Sequence, residues 1–122
     1  ILAKVVMRLM KLKEHKQYDV ALKEIGEAFD ELFAAEARLL KIVDPLTAAR
    51  LLGHWQKVKI LATLYQHEAE IYALQDRPDE ALTKFSHAAE LFRQAIAMKG
   101  SSDRACQQAL DSIATHIEAL KH

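Results

Sequence analysis

The residue types best suited to chemistry in this chain of 122 residues are six histidines, one cysteine and 17 aspartates and glutamates. Histidines and carboxylates on one helix face could bind a metal ion, as in the Glu-x-x-His and His-Glu-x-x-His motifs. The segment His67-Glu68-Ala69-Glu70 begins like the second motif, but Ile71 stands where the second histidine would be needed. We therefore predict no metal site and no cofactor.

Cys106 is the candidate for nucleophilic catalysis. A position near the N-terminus of a helix would lower its thiol pKa, and Arg104 supplies the basic context in the sequence. A free cysteine in a helix more often packs as a small apolar residue. The three glycines, at positions 26, 53 and 100, are too far apart to form a phosphate-binding loop. The sequence therefore predicts a protein that is not an enzyme.

Charge is balanced in this chain, with 17 basic and 17 acidic residues. A neutral chain has no overall field to attract nucleic acid or an anionic membrane, so neither is predicted as a partner. Lys4, Arg8 and Lys11 recur on one face of the first helix, and we interpret them as a solvated face. No apolar run approaches the ~20 residues of a membrane span. A single cysteine fits a reducing compartment, so we expect a cytoplasmic protein.

Only three glycines and two prolines interrupt the chain, which favours long helices and an all-α fold. The spacing of apolar residues predicts helices over about 1–15, 19–33, 45–52, 54–74, 79–98 and 103–120. The second helix either continues to Val43 or breaks near positions 34–36. Asp44 followed by Pro45 predicts a helix start, and Gly53 predicts a helix end. The segment Gly100-Ser101-Ser102 is predicted to end the helix over 79–98 and to cap the last helix.

Two parts of the chain resemble each other at an offset of 60 positions, the difference between Ala21 and Ala81. At this offset YDVALKEIGEAFDEL aligns with PDEALTKFSHAAELF. The matched positions include Ala21 with Ala81, Ile25 with Phe85, and Ala28 with Ala88. Small residues let two helices approach closely and large residues fill the space between them. Each copy is therefore predicted to form a helical hairpin.

The spacing of these residues resembles the tetratricopeptide repeat family, whose unit of about 34 residues has characteristic aromatic, small and large apolar positions. The matching residues are Tyr65, Ala69, Tyr72, Ala81, Phe85 and Ala88 in the second copy, and Val5, Leu12, Ala21, Ile25 and Ala28 in the first. Lys16 and Asp76 stand where the family usually has glycine. The chain is similar in this respect to small bacterial proteins of the tetratricopeptide type.

The resemblance implies a single domain over residues 1–122, built of antiparallel helical hairpins in a right-handed α-solenoid. Repeat one would cover about 2–35, a helical insertion about 36–60, repeat two about 61–95 and a capping helix about 103–121. Repeat arrays usually need about three units or a cap to bury their ends. The capping helix or the insertion could meet that need, and a homodimer is the open alternative.

Tetratricopeptide proteins commonly bind peptides in a groove lined by the first helix of each hairpin, so the resemblance implies a protein–protein interaction module. Carried over by position, the partner-binding residues are Val6, Met10, Lys13, Gln66, Glu70 and Ala73. Val6 and Met10 stand where some family members use Lys and Asn to clamp a carboxylate. A partner helix, a peptide or a second copy of the chain is therefore expected there. The alternative is that Val6 and Met10 pack on the insertion or on the last helix.

A second hypothesis is a regulatory sensor that binds a small ligand or nucleic acid between the insertion and the repeats. It predicts a closed polar pocket that contains several of His54, Lys57, His67 and His87. Trp55, at the end of the insertion, is interpreted as a wedge between helices, with a role in partner binding as the alternative.

Overall fold

The computed structural model describes residues 2–121, and these form seven α-helices, one short 3-10 helix and no strand. The α-helices are α1 Leu2–Glu14, α2 Tyr18–Phe33, α3 Ala37–Ile42, α4 Pro45–Leu52, α5 Trp55–Leu74, α6 Pro78–Lys99 and α7 Arg104–Lys121. The 3-10 helix, Ala34–Glu36, separates α2 from α3. The all-α class predicted from the sequence is confirmed.

The turn between α1 and α2 is closed by two backbone hydrogen bonds. Lys16 N–H donates to Lys13 O over 3.1 Å, and Gln17 N–H donates to the carbonyl oxygen of Leu12 over 2.8 Å. Lys16 has the left-handed conformation, with φ of 56°. These are the features of a Schellman motif, which satisfies the last carbonyl groups of a helix.

The turn between α5 and α6 repeats this structure 60 positions later. Asp76 N–H donates to Ala73 O over 3.1 Å, and Arg77 N–H donates to the carbonyl oxygen of Tyr72 over 2.9 Å. Asp76 also has the left-handed conformation, with φ of 57°. The internal repeat read from the sequence therefore recurs in the backbone hydrogen bonds of the two turns.

The insertion forms two short helices, α3 and α4, where the sequence predicted one. The preceding helix breaks at Ala34, which has φ of 45°, so the alternative of a continuous helix to Val43 is wrong. The ends of α4 are as predicted. Asp44 accepts a hydrogen bond from Thr47 N–H over 2.7 Å, Pro45 occupies the first turn, and Gly53 closes the helix with φ of 69°. That left-handed φ favours glycine.

The larger apolar core lies around the pair of long helices α5 and α6. The helix α4 packs against both, α2 contacts α5, and α7 contacts α6. Buried residues of this core include Phe85, Leu91 and Phe92. Ala81 is fully buried at the place where α6 meets its neighbours, as the repeat pattern predicts for a close approach of helices.

A smaller core holds α1 to the rest of the molecule. It consists of Leu9, Leu12, Ala21, Ile25 and Ile71. Ile71 belongs to α5, so this cluster joins the first hairpin to the second. Ala21 is fully buried here, in correspondence with Ala81 in the larger core.

Gly100 ends α6 with φ of 77°, as predicted. Asp103 caps α7, so the prediction that Gly100-Ser101-Ser102 would cap this helix is wrong. The carboxylate of Asp103 accepts a hydrogen bond from Cys106 N–H over 2.9 Å. Lys59 and Lys99 reach the same carboxylate, with the shortest N–O distances 3.2 and 3.1 Å. The hydrogen bond from the Cys106 backbone, followed by the two lysines, holds the Asp103 pKa well below its usual value. A charged carboxylate here ties together α5, α6 and α7.

The two lysines that hold Asp103 also cover Trp55. Lys99 Nζ lies 4.8 Å and Lys59 Nζ 5.9 Å from the indole ring. Trp55 is half-buried beneath them at the start of α5. Both ammonium groups lie within cation–π distance of its ring.

Candidate partner-binding groove

The six residues predicted to bind a partner lie on α1 and α5, and these two helices contact each other. Val6, Lys13, Gln66, Glu70 and Ala73 are half-buried, and Met10 is 55% exposed. Met10 thus keeps more than half of its accessible surface open to solvent. Whether these residues bind a partner stays a prediction.

The polar centre of this surface is a cluster of Lys13, His67 and Glu70. Lys13 Nζ lies 3.3 Å from Glu70 Oε1 and 3.0 Å from His67 Nδ1. His67 Nδ1 lies 3.9 Å from Glu70 Oε1. Burial lowers the His67 pKa first, the positive charge of Lys13 lowers it further, and the charge of Glu70 opposes both. The imidazole is therefore neutral at pH 7, so that Nδ1 can accept a hydrogen bond from Lys13.

A surface depression of about 190 Å³ lies beside this cluster. Its lining residues come from three helices and are Lys13 of α1, Glu70, Ala73 and Leu74 of α5, and His116 of α7. Three of the six predicted residues are thus brought together. We call the surface formed by these five residues and Met10 the α1–α5–α7 groove.

Apolar side chains accompany the polar centre of the groove. Leu74 is 53% exposed. Met10 lies three positions before Lys13, so the two side chains are on the same side of α1. Met7, on the preceding turn of α1, is 66% exposed. Exposed apolar residues therefore lie on both helices that carry the charged pair.

His116 and Leu74 were not identified from the sequence. His116 Nδ1 lies 2.9 Å from the carbonyl oxygen of Ser112, and its ring stacks on Phe85 with 5.0 Å between centroids. These contacts fix the imidazole at the edge of the depression. In the sequence, His116 precedes Ile117 of the apolar stripe of the last helix, but only the packing of α7 shows which neighbours it meets.

The polar pocket predicted by the sensor hypothesis is not formed by the four residues named for it. His54 is exposed and caps α5, where its Nδ1 accepts a hydrogen bond from Gln56 N–H over 3.2 Å. Lys57 is exposed. His67 contacts Lys13 and Glu70 instead. His87 packs instead near Tyr65, with 6.3 Å between ring centroids. Those residues therefore mark no common site.

A different cavity does lie between the insertion and the two hairpins. It has a volume of about 110 Å³ and is bounded by α2, α3, α5 and α6. Its walls include Gly26, Phe29, Lys41, Tyr65, Glu68 and Lys84. We call it the insertion cavity, and it shares no lining residue with the α1–α5–α7 groove.

The metal-ligand side chains and the single thiol were the residue types considered for chemistry in the sequence. No cluster of three or more His, Cys, Asp or Glu side chains there is placed to hold a metal ion. Cys106 is fully buried, and burial together with the neighbouring Asp103 raises the pKa of its thiol to about 11. The thiol is therefore protonated at neutral pH and packs in the core.

Comparisons with known proteins give no relatives for this chain. No protein-family model, no curated protein and no solved structure matches it. Among residues 2–121, none of the helices is both long and apolar enough to cross a membrane.

Proposed function

We propose that this chain is a non-enzymatic protein-interaction domain of the tetratricopeptide type. Its partner would be a helix or peptide segment of another protein, or a second copy of the chain, bound along the α1–α5–α7 groove. The observation that carries the proposal is that α1, α5 and α7 contribute to one depression. In a stack of helical hairpins, the first helix of each hairpin lies on the same face, and that face binds the ligand.

The two hairpin turns support the repeat arrangement behind this proposal. Both turns have a left-handed residue at corresponding positions, Lys16 and Asp76, with φ values of 56° and 57°. The order of helix contacts also fits stacked hairpins, because α1 packs on α2, α2 on α5, α5 on α6 and α6 on α7. In this arrangement α7 would act as the first helix of an incomplete third unit.

The composition of the groove favours an amphipathic partner segment. Met10 and Leu74 offer apolar contacts, and the ion pair of Lys13 with Glu70 offers one charge of each sign. An apolar residue of the partner would pack on Met10 and Leu74. Polar groups of the partner would form hydrogen bonds with Lys13 and Glu70. When an apolar residue at the centre of such an interface is truncated or replaced by a charged residue, the affinity usually falls strongly.

The test is a pull-down from native extract, with sedimentation analysis of the purified protein to detect self-association. The variants are Met10→Glu and Leu74→Glu, and the matched control is Met98→Glu, an exposed methionine of α6 that does not line the groove. We expect the two groove variants to lose partners or self-association that the control retains. The proposal is wrong if both groove variants, shown to be folded by circular dichroism, keep every interaction of the unmodified chain.

A further inference from the structure

Lys13 fastens the end of α1 to α5 through a cluster that is largely shielded from solvent. Its Nζ atom lies 3.0 Å from His67 Nδ1 and 3.3 Å from Glu70 Oε1. The exposed fractions of the three side chains are 16% for Lys13, 14% for His67 and 20% for Glu70. Next to Lys13, Leu12 belongs to the smaller core with Ile71, so the polar and apolar attachments of α1 to α5 lie side by side.

The short distance between Lys13 and His67 requires a neutral imidazole. An ammonium group can only donate hydrogen bonds, so His67 Nδ1 must offer its lone pair. A protonated imidazole carries a hydrogen on each nitrogen and a positive charge, and two cations separated by 3.0 Å repel each other. Uptake of one proton by His67 therefore turns this attachment into a repulsion.

The charges of the cluster balance only while His67 is neutral. Lys13 and Glu70 then carry one positive and one negative charge, in contact with each other. Protonation of His67 adds a positive charge without an anion to balance it. Because the site is shielded, this excess charge is poorly solvated and destabilises the closed arrangement.

Within residues 2–121, the helices packed on α5 bring no further anion to His67. The charges that shift its pKa are those of Lys13 on α1 and Glu70 on α5 itself, and α2, α4 and α6 add none. From α7, His116 lines the adjoining depression, and its Nδ1 lies 2.9 Å from the carbonyl oxygen of Ser112. A second imidazole supplies no negative charge, so the excess remains.

Separation of α1 from α5 removes the excess charge. Lys13 leaves with its helix and enters water, whereas His67 and Glu70 remain three positions apart on α5, with 3.9 Å between Nδ1 and Oε1. An imidazolium and a carboxylate at this spacing on a helix attract each other. The open arrangement therefore accepts the proton that the closed arrangement resists.

We propose that α1 is a pH-sensitive cover on the second hairpin, released from α5 when His67 binds a proton. Release uncovers Ile71, which is fully buried beside Leu9 and Leu12. The pKa of His67 is lowered in the closed form from the ordinary 6.5, so closure is fully favoured above that pH and weakens as the pH falls below it. Any loss of partner binding on release rests on the proposed function of the groove, whereas the release itself does not.

The test is amide hydrogen exchange of the folded protein at about pH 7.5 and about pH 5.5, corrected for the intrinsic effect of pH on exchange. The amides of Leu9 and Leu12 report release of α1, and those of Leu91 and Phe92 report opening of α6. We expect the α1 amides to exchange faster than the α6 amides at both pH values. The opening constant of α1 should rise on acidification by at most about tenfold per pH unit, the slope for uptake of one proton.

Three variants separate the role of His67 from a general effect of acid. His67→Gln should abolish the rise in α1 opening on acidification, while His15→Gln, at an exposed histidine just beyond α1, should keep it. Lys13→Met should reduce the rise, because it removes the cation that protonated His67 repels. The readout is the ratio of opening constants at the two pH values, so a variant that merely loosens α1 leaves it unchanged.

Three outcomes would overturn the proposal. These are equal exchange of the α1 and α6 amides at the lower pH, a rise that persists in His67→Gln, and a rise of full size in Lys13→Met. Exchange is measured on the isolated protein, so each result stands whether or not the groove binds a partner.

Discussion

Lys13 Nζ lies 3.3 Å from Glu70 Oε1, and this ion pair joins the first helix to the fifth across 57 positions of the chain. The two side chains are only 16% and 20% exposed. A pair shielded in this way is less screened by water and salt than one at the open surface. The pair therefore contributes both to the attachment of α1 and to the charge of the groove.

A double-mutant cycle measures that contribution. Lys13→Met, Glu70→Gln and the double variant should give a coupling free energy of about 1 kcal/mol, above the median for exposed pairs. The measurement is urea denaturation in low salt. The matched pair is Arg93 with Glu90, whose side chains are 58% and 43% exposed. A coupling for Lys13 and Glu70 no larger than for this exposed pair would contradict the expectation.

The His67 imidazole makes stability depend on pH. Its pKa is lower in the folded protein than the ordinary value of 6.5, so below that value the unfolded chain binds protons in preference. Stability is therefore full above the ordinary value and falls as the pH decreases toward the lowered folded value. The denaturant concentration at the unfolding midpoint should be lower at about pH 5.5 than at about pH 7.5. The variant His67→Gln should show a smaller difference between the two.

Two charge variants test the assigned causes of the His67 shift. Lys13→Gln should raise the His67 pKa, because it removes a positive charge, and Glu70→Gln should lower it. The pKa is followed by histidine proton resonances. His87, whose pKa is also lowered but chiefly by burial and Lys84, serves as the internal comparison and should not move. Shifts of the same sign in both variants would contradict the assignment.

Asp103 is expected to matter more than an ordinary surface carboxylate. Asp103→Ala should lower the melting temperature by several degrees, because α7 loses its cap and two lysines lose their common partner. Asp103→Asn retains an acceptor for Cys106 N–H and should lose less. Asp111→Ala, at an exposed position of the same helix, is the control.

The pH dependence of the Asp103 contribution follows from its lowered pKa. The contribution is present above the ordinary value of 3.8 and is lost as the pH falls through the lower folded value. Thermal unfolding in the acid range should therefore show a smaller pH dependence for Asp103→Ala than for the unmodified chain. Equal slopes would mean that the carboxylate is not preferentially charged in the folded state.

The alanines of the repeat provide a test of the hairpin packing. Ala21→Leu and Ala81→Leu each place a large side chain where the exposed fraction is 0%, and should cost about 1–3 kcal/mol or more. Ala97→Leu, at an exposed position of α6, should change stability by less than about 0.5 kcal/mol. Urea denaturation measures all three. A tolerated leucine at both buried positions would contradict the close approach of the helices.

Local features of the fold were predictable from the sequence. Asp44, Pro45 and Gly53 determine the ends of α4 through their own backbone and side-chain preferences, and the structure agrees. The break at Ala34 was left open, since neither Ala34 nor Ala35 disfavours a helix. Local preference does not choose between the two conformations at this position, so tertiary packing decides between them.

The candidate site was predictable only in the part that repeats. Lys13, Glu70 and Ala73 were named because they occupy matching positions of two similar hairpins. His116 was missed because α7 has no complete hairpin to compare with the others. The insertion cavity was missed for the same reason, since Lys41 comes from a helix without a counterpart in either repeat.

The division of the apolar residues into two cores has a consequence for the way the domain opens. In α1 just two residues, Leu9 and Leu12, are buried, and both belong to the smaller cluster, while Leu2 and Val5 are half-buried against the larger one. The helices α5 and α6 belong mainly to the larger cluster. Regions held by few apolar contacts undergo local unfolding at a lower free energy than the rest of a protein. A ligand that touches α1 and α5 together would draw that equilibrium toward the closed form, so occupancy of the groove and ordering of the N-terminal helix are thermodynamically linked.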